Sequence, residues 1–136
     1  MTTTRPVITG SFGVVASTHW LATATGMSIL ERGGNAFDAA VATGLALQVL
    51  EPHMNGPAGD LVGLVLPAGA KTPRAVCGQG VAPAGMTIAH FKSLGLDIIP
   101  GTGHLPVVVP GSFGAWMMLL RLPRRHWLTV SLPVAA

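Results

Sequence analysis

Two carboxylates and a histidine occur close together in the stretch Glu51–Asp60, which reads EPHMNGPAGD. Carboxylates and imidazoles are common proton-transfer groups in active sites, so Glu51, His53 and Asp60 are candidates for acid–base chemistry. The same stretch contains two prolines and two glycines, which end helices and turn the chain. The structural interpretation is favoured: Glu51 ends a buried helix, and the glycines lead the chain into a strand.

Other reactive side chains give no complete catalytic set. Ser112 lies in PGSFG, which lacks the glycine that precedes a nucleophile elbow serine by two residues, so Ser112 is predicted to cap a helix. Thr18 and His19 are adjacent and do not face each other, so they are predicted to start a helix. The five histidines do not have the spacing of metal ligands. No glycine-rich segment is followed by the lysine and hydroxyl residue that a phosphate-binding loop needs. No metal or cofactor site is predicted.

Composition narrows the classes of protein that this chain can represent. Hydrophobic residues make up 49% of the chain and charged residues 10%, so polar surface is scarce and a partnered surface is expected. The net charge of +3 comes from Arg121, Arg124 and Arg125, and no basic stripe indicates nucleic-acid binding. The single cysteine, Cys77, cannot form an intramolecular disulfide.

Two segments bear on membranes and targeting. The first ten residues, MTTTRPVITG, lack the apolar core of a secretion signal, so the expectation is a cytoplasmic chain or one whose signal is missing. The uncharged run Ile98–Leu120 is long enough to cross a bilayer, but it contains three prolines and four glycines. It is therefore not predicted to be a membrane helix.

Periodicity and turn residues predict alternating helices and strands. GVVAS at 13–17 is predicted to be a short strand, followed by a helix whose face carries Trp20, Ala24, Met27 and Leu30. Two glycines at 33–34 end that helix, and Asn35 with Asp38 forms a capping box for the next.

The remaining elements complete a layered arrangement of helix and sheet. The segment Ala36–Leu50 is apolar nearly all round and predicts a buried helix. LVGLVLP at 61–67 and RAVCGQG at 74–80 predict paired strands of an interior sheet, and segments 85–95 and 111–121 predict two shorter helices. The fold class is therefore α+β.

The order and spacing of several motifs resemble one enzyme family. RGGNAFDAAVA at 32–42, followed by LEPHMNGP at 50–57, is similar to the opening of the large subunit of gamma-glutamyltransferases. GVAPAGMT at 80–87 and VVVPGSFGAW at 107–116 continue the similarity at the expected places. The resemblance covers about residues 11–121.

The resemblance implies both a fold and a mechanism. Such proteins are N-terminal nucleophile (Ntn) hydrolases with an αββα sandwich, of which this chain would form part. Their precursor cuts itself, and a threonine at the start of the small subunit attacks a gamma-glutamyl amide, with its own α-amine able to serve as base. The acyl group passes to an amino acid, a peptide or water, and no cofactor is needed. The nucleophile lies hundreds of residues beyond the resembling part, so no residue here is predicted to be catalytic.

Two departures from the family pattern bear on substrate. GPAGDL at 56–61 replaces the usual glycine-rich run and is closer to an acylase-like branch. Gln79, in CGQGVAP, occupies the position aligned with the arginine that usually grips the substrate α-carboxylate. Gln79 is therefore the predicted substrate-binding residue, and a gamma-glutamyl substrate is in doubt. The alternative is that Gln79 faces away from the pocket and a basic group elsewhere holds the carboxylate.

The expected organisation is an N-terminal extension at 1–10, a gamma-glutamyltransferase-like portion at 11–121 and a divergent tail at 122–136. A frameshift or a premature stop after about Arg121 would produce such a tail, and a genuinely divergent tail is the alternative. The expected partners are the remainder of the large subunit, the small subunit and a small acyl-amide substrate. The leading hypothesis is an inactive N-terminal fragment of such an enzyme. The alternative is a non-catalytic interaction protein that retains part of the fold.

Overall fold

The structure, a computed structural model, describes residues 7–122 of the chain. These residues divide into two units, one formed by residues 7–56 with 119–122 and the other by residues 57–118. The first unit contains two long helices, and the second contains a hairpin and a short helix. A further helix, at 112–121, contributes residues to both units.

The first unit is built on helices α1 (Trp20–Glu31) and α2 (Ala36–Leu50). His19 is the N-cap of α1, and its Nδ1 accepts a hydrogen bond from the backbone N–H of Leu21 at 3.2 Å. Gly33 follows α1 with a φ of 87°, a left-handed conformation that glycine adopts without steric cost. The predicted helix start at His19 and the glycine stop are both confirmed.

A capping box starts α2, as predicted. The Oδ1 atom of Asn35 accepts hydrogen bonds from the backbone N–H groups of Phe37 and Asp38, at 2.8 and 3.1 Å. In return, Oδ2 of Asp38 accepts from the backbone N–H of Asn35 at 3.1 Å. These bonds satisfy donors at the helix start that have no partner within the helix.

The two helices pack through small side chains. Ala22 and Gly26 are the buried residues of α1, and Ala39 and Thr43 are among the buried residues of α2. A Cβ atom built on Gly26 would lie 2.1 Å from Oγ1 of Thr43, so the helices approach as closely as they do because residue 26 has no side chain.

The apolar face predicted for α1 is only partly buried: Met27 and Leu30 are half-buried. Trp20 is 73% exposed and Ala24 is also exposed, because the contact with α2 runs through the small residues instead.

The prediction that α2 is buried holds only in part. Ala39, Val41 and Thr43 are buried, whereas Ala36, Ala40 and Val49 are exposed.

Residues 13–17 form no strand in the structure, contrary to prediction. A strand requires a neighbour that shares its backbone hydrogen bonds, and within residues 7–122 the sheet contains only the two strands of a hairpin. The segment still packs, since Cγ1 of Val15 would lie 2.9 Å from a Cβ atom at Gly26.

The second unit is organised by an antiparallel hairpin, as predicted. Strands β1 (Val62–Val65) and β2 (Arg74–Cys77) pair with Val62 opposite Cys77 and Val65 opposite Arg74. Much of β1 is unburied: Val62 is 69% and Leu64 is 76% exposed. Contrary to prediction, β1 is not interior within the described residues, and its exposure is consistent with the expectation of a partnered apolar surface.

Two helices follow the hairpin, also as predicted. Helix α3 spans Ile88–Ser93 and is capped by Thr87, whose Oγ1 accepts from the backbone N–H of His90 at 3.2 Å. Helix α4 spans Ser112–Arg121. Among residues 7–122, no helix has both the length and the apolar character needed to cross a bilayer.

The contact at Gly26 generates a testable prediction about stability. Gly26→Ala should lower the free energy of unfolding by about 1–3 kcal/mol, because the new methyl group collides with Thr43. Gly114→Ala is the matched control: this glycine is also helical, but nothing lies within 4 Å of the position that the new methyl group would take, so the change should be neutral or stabilising by about 0.5–1 kcal/mol. Unfolding of each variant is followed by far-UV circular dichroism.

Adding Thr43→Ala to the Gly26→Ala chain removes the colliding oxygen and should recover part of the loss. Equal unfolding midpoints for the wild-type and Gly26→Ala chains would contradict the helix contact.

Candidate functional site

The predicted substrate-binding residue, Gln79, lies in a loop that two other chain segments hold in place. We define the Gln79 loop as residues Gly78–Gly80, directly after β2. The segments 57–61 and 109–112 lie beside it, and all three belong to the unit formed by residues 57–118.

Hydrogen bonds to the backbone fix both ends of the Gln79 loop. On the first side, Gly78 and Leu61 exchange two bonds: Leu61 N–H donates to Gly78 at 3.2 Å, and Gly78 N–H donates to Leu61 at 2.6 Å. On the second side, the N–H of Gly80 donates to Oδ1 of Asp60 at 3.1 Å. The next residue, Val81, accepts from the N–H of Val109 at 2.9 Å. The backbone of residue 79 is thus held between two anchored neighbours.

The glycines of this region allow backbones to approach within distances that a side chain would prevent. A Cβ atom at Gly80 would lie 2.2 Å from the carbonyl oxygen of Val109, and one at Gly111 would lie 2.4 Å from the carbonyl oxygen of Gly78. Both distances are far below a normal van der Waals contact. The path of the Gln79 loop therefore depends on the absence of side chains at these positions.

Gln79 itself is exposed and carries a neutral amide. Its Oε1 accepts a weak hydrogen bond from the thiol of Cys77, with a sulfur–oxygen distance of 3.6 Å. An amide can donate and accept hydrogen bonds, but it cannot act as a nucleophile or as a general base at neutral pH. The chemistry available at residue 79 is thus recognition.

Ser112 has a structural position at the start of α4. Its side chain is buried, and its hydroxyl donates to the carbonyl oxygen of Pro57 at 2.9 Å, while its backbone N–H donates to Gly59 at 3.0 Å. A carbonyl oxygen cannot take the proton that a serine nucleophile must lose. Ser112 is the first residue of the helix, not the residue before it, so the predicted capping role is replaced by a tether to the 57–60 segment.

Glu51 lies at the end of a helix, where its side chain makes a structural contact. It is the C-cap of α2, and its Oε2 accepts a hydrogen bond from the hydroxyl of Thr18. Asn55 closes the same helix end by donating from Nδ2 to the carbonyl oxygens of Leu47, at 3.3 Å, and Glu51, at 3.2 Å. His53 is exposed. The scaffold interpretation of this stretch fits these contacts.

Asp60 has an anchoring role that sequence reasoning missed. Glu51 belongs to the unit of residues 7–56, whereas Asp60 belongs to the unit of residues 57–118, so the two carboxylates serve separate units. The register of the hairpin could have revealed this role: if Leu61 is opposite Gly78, then Asp60 must lie beside the residues that follow Gly78. Within residues 7–122, no group of three His, Cys, Asp or Glu side chains could hold a metal ion.

Comparison with known proteins identifies the family. The gamma-glutamyltranspeptidase family model matches residues 22–132. The glutathione hydrolase-like YwrD proenzyme of Bacillus subtilis (strain 168) is 36% identical over 115 residues, which are 84% of this chain and 22% of that protein. This chain spans about a fifth of the length of the curated relatives that it matches.

Solved structures show the same relationship in three dimensions. LmbA2991HD is 61% identical, with a TM-score of 0.81 over 89% of this chain and 21% of that one. The cephalosporin acylase from Bacillus halodurans is 40% identical, with a TM-score of 0.80 over 90% of this chain and 23% of that one. The fold is therefore a partial N-terminal nucleophile hydrolase fold of the α+β class. The chain belongs to the gamma-glutamyltranspeptidase family, in its acylase-like branch.

The predicted boundaries at 1–10, 11–121 and 122–136 stay predictions. The family match reaches residue 132 and so enters the segment predicted to be a divergent tail. Residues 1–6 and 123–136 lie outside the part of the chain that the structure describes.

The tether at Ser112 yields a second prediction. Ser112→Ala should lower the free energy of unfolding by about 0.5–1.5 kcal/mol, because the bond to Pro57 is lost from a buried side chain. Ser93→Ala is the control. The Ser93 hydroxyl also donates to a carbonyl oxygen, that of His90, but it is exposed, so its loss should have little effect.

A fluorophosphonate probe should leave Ser112 unlabelled, and labelling at that residue would show that it is an activated nucleophile.

Proposed function

We propose that this chain is the N-terminal portion of the large subunit of an acylase-like Ntn hydrolase, which hydrolyses or transfers gamma-glutamyl or related acyl groups. The observation that carries the proposal is the family match over residues 22–132. The superposition on a cephalosporin acylase over 90% of this chain supports the acyl-amide substrate class.

In this proposal the chain supplies structure and recognition, and the rest of the precursor supplies the chemistry. The nucleophile is the threonine that begins the small subunit, with its α-amine as base. The hairpin and the Gln79 loop form one wall beside the substrate. The remainder of the large subunit and the small subunit are the partners, and the exposed side chains of β1 are a surface that they would cover.

Gln79 sets the substrate preference in this proposal. Arginine offers a planar, permanently charged fork that can bind a carboxylate through two hydrogen bonds, whereas glutamine offers a shorter, neutral amide. Gln79 is exposed on a backbone that is anchored on both sides, so it can meet a substrate without rearrangement of the loop. An acyl group without the glutamyl α-carboxylate is therefore the preferred substrate.

The first prediction here is that purified residues 1–136 release no product from a gamma-glutamyl or glutaryl anilide, because the nucleophile and its base belong to the rest of the precursor. The Gln79→Arg chain, prepared identically, is the control, since a contaminating enzyme would give both preparations the same rate. Product release that persists through purification and changes with Gln79→Arg would refute the proposal.

Complementation separates this proposal from the alternative, a non-catalytic interaction protein whose exposed β1 side chains bind another protein. A precursor that lacks this portion should recover self-cleavage and anilide hydrolysis when it is co-expressed with residues 1–136. Failure to recover either activity, together with a stable soluble chain, would favour the interaction protein.

The second prediction concerns Gln79 in the complete enzyme. Gln79→Arg should raise kcat/KM for gamma-glutamyl anilide relative to glutaryl anilide by roughly tenfold to a hundredfold, because a charge-assisted contact contributes about 1.5–3 kcal/mol. Gln79→Lys is the matched control: it adds the charge without the fork and should give a smaller shift. An unchanged ratio in the arginine variant would show that position 79 does not contact the α-carboxylate.

A further inference from the structure

We infer that Asp60 is a positioning residue for substrate specificity, because its carboxylate holds the loop that presents Gln79. The inference rests on the proposed role of Gln79. The contact that carries it is the hydrogen bond from the backbone N–H of Gly80 to Oδ1 of Asp60, at 3.1 Å. The two residues are brought together by the hairpin, whose last backbone pair joins Leu61 to Gly78.

An ionised carboxylate is suited to this position because it only accepts hydrogen bonds, and a bond from an N–H group to a charged acceptor is stronger than one to a neutral acceptor. Asp60 is exposed, so water weakens the charge contribution, and the main effect of the bond is geometric. It fixes the peptide group that directly follows Gln79.

The Asp60 side chain is itself attached to a fixed segment. Gly59, the preceding residue, accepts from the backbone N–H of Ser112, and Pro57 accepts from the hydroxyl of the same serine. Asp60 therefore connects the start of α4 to the Gln79 loop through the 57–60 segment. A side chain held on such a supported backbone can discriminate between substrates that a mobile side chain would bind equally.

Residue 79 has anchors on both sides, and they are not equivalent. On the β2 side, the two bonds between Leu61 and Gly78 are backbone bonds that a substitution does not remove. On the other side, the bond from Gly80 depends on the side chain at position 60. Truncation of Asp60 therefore frees the peptide group between Gln79 and Gly80 and leaves the backbone bonds on either side, at Gly78 and at Val81, in place.

The test compares Asp60→Ala with Asp60→Asn, which keeps an acceptor oxygen at the same place. In the 136-residue chain, hydrogen exchange of the Gly80 amide should be about fivefold to tenfold faster in the alanine variant and within about twofold of wild type in the asparagine variant. Asp97→Ala removes another exposed carboxylate of the same unit and should leave the Gly80 amide unchanged.

The complete enzyme provides the specificity readout. The readout is kcat/KM for glutaryl anilide divided by kcat/KM for gamma-glutamyl anilide. Asp60→Ala should reduce this ratio by about threefold to tenfold, whereas Asp60→Asn should keep it close to the wild-type value. In a Gln79→Ala background, Asp60→Ala should cause no further change in the ratio, because the two residues act through one loop.

Three results would overturn the inference: an unchanged ratio in Asp60→Ala, equal effects of alanine and asparagine, or a full effect of Asp60→Ala in the absence of Gln79. The Gln79→Arg variant distinguishes a failure of the proposed function from a failure of this inference. If Gln79→Arg leaves the ratio unchanged, the role of Gln79 is wrong and the specificity role of Asp60 is overturned with it. If Gln79→Arg shifts the ratio and Asp60→Ala does not, only the inference about Asp60 is overturned.

Discussion

A Cβ atom at Gly80 would lie 2.2 Å from a backbone carbonyl oxygen, and a Cβ atom at Gly26 would lie 2.1 Å from Oγ1 of Thr43. Each unit of the structure thus contains a contact that exists only because one residue has no side chain. In the first unit this contact brings α1 and α2 together, and in the second it lets the Gln79 loop lie against residues 108–109. Atoms packed this closely leave little room for alternative arrangements, so the neighbouring polar bonds can be short and specific.

The apolar surface of the hairpin, in contrast, is not closely packed against other residues. Val62 and Leu64 remain mostly exposed on β1, although full burial of such a side chain is worth about 1.5–3 kcal/mol. In this chain Val62 and Leu64 do not contribute that stabilisation, because they are mostly exposed. The strand edges also carry backbone groups that can pair with a further strand. Covering this surface with other chain segments would therefore add to the stability of the hairpin. This is what the proposed assembly with the rest of the precursor would supply.

Local signals in the sequence predicted much of this fold, because the forces concerned act between near neighbours. The capping box at Asn35 involves residues three positions apart, and the hairpin is bounded by glycine and proline. The contact face of α1 was not predictable in the same way, since small residues at 22 and 26 become buried only when a second helix with Thr43 opposes them. Likewise, residues 13–17 have the composition of a strand but lack a strand partner among the described residues.

In the candidate site, too, a residue could be predicted from its local motif, but its contacts with residues far away in the chain could not. Gln79 could be selected from its place in a motif, but its anchors lie about twenty to thirty residues away, at Asp60 and Val109. Asp60 accordingly has a use that its residue type alone does not suggest. A carboxylate beside a histidine invites an acid–base interpretation, yet here Glu51 accepts a hydrogen bond from Thr18 at a helix end, and Asp60 accepts one from a glycine N–H. The Asp60 carboxylate thereby fixes the backbone beside Gln79. In the proposed function this is the contribution that the Gln79 loop needs, because there the reactive groups come from the rest of the precursor.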